Sequence, residues 1–174
     1  MRDILIAGIG NIFNGDDGFG VAVAQRLAQR AMPEAVQVVD FGIRGIDLTY
    51  ALLDPYRAVV LVDAAPMGRP PGTISIVEPH IADENSPPPE GLAVSGHALD
   101  PATVLSLAAT LGGTCRRVLL VACEPLDLGG EDGAMGLSPP VAAAVDTAVA
   151  AIDELMPRLI AESATQSAAK AAQI

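Results

Sequence analysis

Lysine is almost missing from this chain: Lys170 is the only one in 174 residues, and nine arginines supply the rest of the positive charge. Against 21 acidic residues the 10 basic ones leave a formal net charge of −11. That balance excludes sequence-independent nucleic-acid binding, which needs Lys and Arg to displace counterions from phosphates. It also disfavours an anionic membrane surface, and it reads as surface solubility. Tryptophan is absent and aromatics make up 3%, so the core is built from Val, Leu, Ile and Ala, as in layered α/β proteins. Cysteine is scarce. Cys115 and Cys123 form neither a C-x-x-C pair nor a zinc spacing, and two buried thiols without a disulfide are expected, as suits a reducing compartment. No apolar run approaches the ~20 residues of a membrane span, and the first residues lack the pattern of a signal peptide. The expectation is a cytoplasmic protein with no membrane and no nucleic-acid partner, a monomer because no apolar stripe beyond core needs is evident.

The length fits one domain with a substantial core. "DILIA" reads as a short buried strand, followed by a glycine-rich loop. In "DDGFGVAVAQRLAQRAM", Phe19, Val23, Leu27 and, near the edge, Met32 follow helical spacing, with Asp16 and Asp17 as candidate N-caps. "VQVVD" is strand two, "IDLTYALL" a short helix, "AVVLVDA" strand three and "GTISIV" strand four. After a Pro- and Glu-containing loop from Glu78 to about Val94 comes the helix "DPATVLSLAATLG", with Asp100 as its cap and Pro101 at its first position. "RRVLLVAC" is strand five, and a last long helix starts at Ser138. Strands alternating with helices predict an α/β/α sandwich with a mostly parallel twisted sheet of five strands. Strand four is the exception. Only residues 64–71 separate it from strand three, too few for a parallel crossover. It is therefore expected to run antiparallel, at or near an edge. The domain spans residues 1–160, and the Ala-, Ser- and Gln-rich tail 161–174 is expected to fray.

In such a sheet, ligands bind beyond the carboxyl ends of the strands. Asp17 follows strand one, Asp63 ends strand three, and His97 sits in "AVSGHALDP" just before the third helix. In the strand order 2-1-3 the two aspartates converge and the His97 loop closes over them. Each has an ordinary structural reading: a helix cap, a strand-end turn and a surface histidine. One crevice holding all three makes a site for a divalent transition metal, with two carboxylates, one imidazole and open positions. The pair of acids in "GIGNIFNGDDGFG" is then suited to receiving positive charge. A dinucleotide site is the weaker reading. The third glycine of G-x-G-x-x-G is missing, although Asp40 stands where a ribose-binding acid would, and the two aspartates would repel a pyrophosphate. Neither G-x-x-x-x-G-K-S/T nor the serine elbow G-x-S-x-G is present.

"GIGNIFNGDDGFG" resembles the G-x-G-N-x-x-x-x-D-D/E-x-x-G signature of the hydrogenase maturation endopeptidases, which process the large subunit of nickel–iron hydrogenases. The likeness extends through "VVDFGIRG", "VLVDA", "SGHALDPATVL" and "GLSPPV", in that order, across roughly residues 2–160. The resemblance implies a hydrolase that removes the C-terminal extension of the large-subunit precursor after nickel insertion. It implies nickel contact at Asp17, Asp63 and His97, with the nickel supplied by the precursor as a recognition or a catalytic element. Asp16, Asp17, Asp63 and His97 are the candidate catalytic residues, since carboxylates can orient or deprotonate a water. Asp40, Gly42 and Arg44 are candidate substrate-binding residues. Many relatives have Glu at the position of Asp17, and Arg44 is a departure from the G-T-x-G-like loop of the family. Glu124 and the glycines after strand five are candidates to shape a groove for the precursor. The alternative from another class is a non-catalytic metal-sensing or chaperone-like binding module on the same fold.

Overall fold

The structure, a computed structural model, describes residues 2–79, 101–113, 117–130 and 133–171. Its first strand, β1 (Ile4–Ile9), is buried along its whole length. A strand with no polar face needs cover on both sides, which is the situation of a central parallel strand. Ile4 and Ile6 pack with Phe19, Val23 and Leu27 of α1 (Phe19–Ala28) and with Val141, Ala148 and Ile152 of α4 (Pro139–Ala171). Leu5, Ala7 and Ile9 point the other way, onto Leu48 and Leu52 at α2 (Gly45–Ala51) and Val104 and Ala108 of α3 (Pro101–Thr110). The period-two alternation of a strand thus separates two cores, and the chain is a three-layer α/β/α sandwich.

The remaining strands are β2 (Val36–Gly42), β3 (Ala58–Ala64), β4 (Ile74–Val77) and β5 (Val118–Cys123). They assemble in the order β2-β1-β3-β5-β4. β2, β1, β3 and β5 are parallel, and β4 lies antiparallel to β5 at the edge, as its short connection requires. The neighbouring order 2-1-3 puts the carboxyl ends of β1 and β3 side by side.

Two boundaries differ from the sequence reading. Asp16 and Asp17 do not cap α1: they lie in a single 3₁₀ turn, Gly15–Gly18, and the N-cap Gly18 offers no side-chain bond. The last helix runs to Ala171 instead of ending near Ile160. Residues 161–171 contain neither Gly nor Pro and are rich in Ala, so helix propensity carries the backbone onward. Exposed ion pairs Arg26–Asp146 (3.0 Å) and Arg30–Asp153 tie α1 and the turn after it to α4. At that exposure such pairs contribute at most about 1 kcal/mol each, so the apolar faces hold the helices together. Among the described residues no helix is long and apolar enough to cross a membrane. His80, His97, Asp100 and Cys115 lie outside the described residues.

Candidate active site at the carboxyl ends of the strands

The glycines of the first loop are there for close approach. A Cβ on Gly20 would stand 2.1 Å from the Val62 carbonyl oxygen and 2.3 Å from that of Ile9. One on Gly8 would stand 2.3 Å from the Gly20 carbonyl oxygen. Without side chains at these points, the first turn of α1 presses directly on the ends of β1 and β3. Gly10 has φ 128°, a region L-residues rarely enter, and its missing Cβ would fall 1.8 Å from the Asp17 carbonyl oxygen. The loop therefore folds back on itself and delivers Asp17 to the sheet's carboxyl edge.

Asp17 is half-buried and its Oδ2 accepts the Asn11 backbone N–H at 2.9 Å. Burial pushes its carboxyl pKa above the ordinary aspartate value, and the Asn11 bond offsets only part of that. Asp63 follows Val62, the register partner of Gly8, so it stands one residue before the end of β3, beside the end of β1. It is half-buried, and its Oδ1 accepts the Ala64 N–H at 2.9 Å. The two predicted acids thus come to the same end of neighbouring strands. Their oxygens suit a cation, although among the described residues no group of three His, Cys, Asp or Glu side chains is close enough to hold one. The third predicted donor, His97, lies outside the described residues.

Asp16 turns the other way. It is 0% exposed, and its two oxygens accept four hydrogen bonds. Leu126 and Asp127 donate backbone N–H groups to Oδ2 at 2.8 and 2.9 Å, and the Ser138 hydroxyl donates to the same oxygen at 2.8 Å. The Ser138 N–H donates to Oδ1 at 2.6 Å. Burial alone would raise its pKa, but these bonds outweigh burial and hold it below the ordinary value. Ser138 was expected only to open the last helix. Its carbonyl does accept the Ala142 N–H at 2.8 Å, while its hydroxyl serves Asp16.

On the β2 side, the register slips between Gly8 and Ile9, which oppose Asp40 and Gly42, so Phe41 is an extra residue. Gly42 takes φ 54° at this bulge, and its carbonyl accepts the Gly10 N–H at 3.1 Å. Asp40 accepts a bond from the Gln25 side chain of α1 at 3.1 Å. Arg44 folds over Phe41, with its guanidinium 5.9 Å from the ring centre, and donates to the carbonyls of Phe41 (3.1 Å) and Asp40. The exposed Arg44 side chain thereby braces its own loop.

Beyond β5, Glu124 is buried and its Oε2 accepts the Met67 N–H at 2.7 Å, which ties the β3–β4 connection to the end of β5. Cys123 is buried and free, and burial, with Asp16 and Glu124 nearby, pushes its thiol up to about 11. The loop from β5 to α4 is zipped to the first loop: Ala134 donates to Phe13 at 2.9 Å and accepts from Gly15 at 2.6 Å. Five large apolar side chains stand exposed on these two loops: Ile12, Phe13, Leu126, Leu128 and Met135. Ser138, Leu126 and Asp127 were missed as partners of the first loop, because nothing in the sequence couples residues so far apart.

The chain is similar to known proteins over most of its length. The hydrogenase maturation protease family, HycI, matches residues 21–154, a span that begins just after the glycine loop. The hydrogenase expression/formation protein HupD of Rhodobacter capsulatus is 34% identical over 155 residues, covering 87% of this chain and 70% of its own. The hydrogenase maturating endopeptidase HybD from E. coli superposes with a TM-score of 0.73 at 28% identity, over 91% of this chain and 94% of its own. The NiFe hydrogenase maturation protease HycI from Thermococcus kodakarensis does so with a TM-score of 0.69 at 27% identity, over 90% and 93%. The chain belongs to the hydrogenase maturation protease family.

Proposed function

We propose that this protein is the endopeptidase that removes a C-terminal extension from a nickel–iron hydrogenase large-subunit precursor. Family membership supplies the reaction class. The observation that carries the assignment to this end of the molecule is the pair Asp17 and Asp63 at the carboxyl ends of two adjacent strands. On this reading Asp17, Asp63 and His97 form the negatively charged set that meets the nickel-bearing centre of the precursor, so nickel is part of the substrate. Two carboxylates and a neutral imidazole carry two negative charges between them, which favours a cationic centre over an empty pocket.

Hydrolysis adds water across the scissile amide. The water oxygen bonds to the carbonyl carbon, its proton passes to a carboxylate, and the C–N bond breaks as the amine leaves with that proton. Asp17 suits the proton-accepting part, because burial raises its pKa and makes its ionised carboxylate more basic than an ordinary aspartate. Asp63, anchored through the Ala64 N–H, orients the water or the nickel centre. Asp40, Gly42 and Arg44 line the β2 side of the substrate path, and the exposed apolar side chains of the first and the β5–α4 loops border the other. The protein works in the cytoplasm as a monomer. Incubation with nickel-loaded and nickel-free precursor, read by intact mass, tests this: loss of a C-terminal peptide from the loaded form supports it, and two uncut precursors contradict it.

A further inference from the structure

We propose that Asp16 is a positioning residue of the cleavage site: its carboxylate clamps the β5–α4 loop onto the first loop and so fixes where Asp17 stands. The clamp rests on the reading above for its link to cleavage, and on its hydrogen bonds alone for its mechanics.

The side chain is fully buried and makes four hydrogen bonds to partners that all donate. A carboxylate is an acceptor only, so it matches a nest of four donors; an amide would turn an N–H₂ toward some of them. With both oxygens engaged, Asp16 has no face to offer a substrate, which separates it from the adjacent, half-buried Asp17. Capping of α1 does not explain it, because the N-cap of that helix is Gly18, with no side-chain bond.

The surrounding main-chain bonds run between the same two segments. Asp16 N–H donates to Asp127 at 2.8 Å, Gly15 N–H to Ala134 at 2.6 Å, and Ala134 N–H to Phe13 at 2.9 Å. Those bonds are main-chain, and Gly15 makes its own at φ 59°, where a Cβ would stand 2.7 Å from the Asp127 carbonyl oxygen. The side-chain contribution is the Asp16 carboxylate with the Ser138 hydroxyl. One residue further on, Asp17 takes its own position through Asn11 and the Gly10 contact, so a shift of residues 15–17 moves the acid at the strand end.

Asp16→Asn, Ser138→Ala and Ser138→Thr test this, with two readouts at a temperature where circular dichroism shows each variant folded. Hydrogen exchange in Asp16→Asn is expected to accelerate about ten-fold in residues 11–17 and 126–130, while β1, β3 and β5 keep wild-type protection. Precursor processing by the same variant is expected to fall about ten-fold or more in kcat/KM, mainly through kcat, since a displaced Asp17 spoils the reacting geometry. Ser138→Ala, which removes one bond of four, shows a smaller loss of the same kind, and Ser138→Thr restores it. A folded Asp16→Asn protein with a lowered melting temperature but wild-type loop exchange and kcat/KM overturns the proposal, because Asp16 would then only stabilise. If Asp16→Asn does not fold, the serine pair decides: wild-type kcat/KM in Ser138→Ala overturns it. Wild-type protein that leaves the precursor uncut defeats the cleavage reading instead, and loop exchange alone then judges the clamp.

Discussion

The carbonyl oxygen of Asp17 occupies the space where residue 10 would carry a side chain, 1.8 Å from the Cβ that Gly10 lacks. The loop's glycines therefore serve contact between backbones, and the position of the acid depends on them. Gly10→Ala and Gly20→Ala are expected to destabilise the fold by about 3 kcal/mol each, through strain and forced displacement. Gly130→Ala, with nothing within 4 Å of the added carbon, is expected to stay within about 0.5 kcal/mol of wild type. Urea unfolding measures all three.

The pKa of Asp17 is raised by folding, so the ionised group opposes the folded state at neutral pH. The folded chain holds its proton more tightly than the unfolded chain, so this penalty appears as pH rises through the ordinary value of 3.8 and is complete above the folded pKa. Asp17→Asn keeps the acceptor for Asn11 and removes the charge. In chelator-containing buffer its melting temperature should exceed the wild type's at pH 7, with the gap closing below pH 3.8, while processing is lost. Scanning calorimetry across that range checks the sign.

A thiol pushed up to about 11 and wholly buried is an inert one. Cys123 should resist iodoacetamide in the native protein at pH 8 and react once the chain is unfolded, as peptide mapping would read. Cys123→Ala should keep processing close to wild type, which a cysteine nucleophile would not allow.

Much of this architecture was legible in the sequence. The apolar runs at β1, β3 and β5 had no polar face, and the short connection after β3 forced β4 to reverse. Asp63 was placed near the end of its apolar strand, and Asp17 in the loop that follows β1. Local pattern failed at Asp16. A carboxylate ahead of a helical repeat reads as a cap, yet its partners come from Leu126, Asp127 and Ser138, and no local rule couples those positions to it. The end of α4 was missed for a related reason, since a low-complexity tail looks frayed although its alanines favour helix. The β2 bulge at Phe41 left no signal beyond the glycine that follows it.

The account stands most directly on what Asp17 and Asp63 do to a nickel-loaded precursor. Asp17→Ala and Asp63→Ala, each verified as folded, should leave the precursor at full mass under conditions where wild type releases the C-terminal peptide. Cleavage at the wild-type rate by either aspartate variant would contradict the claim that these two strand ends form the catalytic centre.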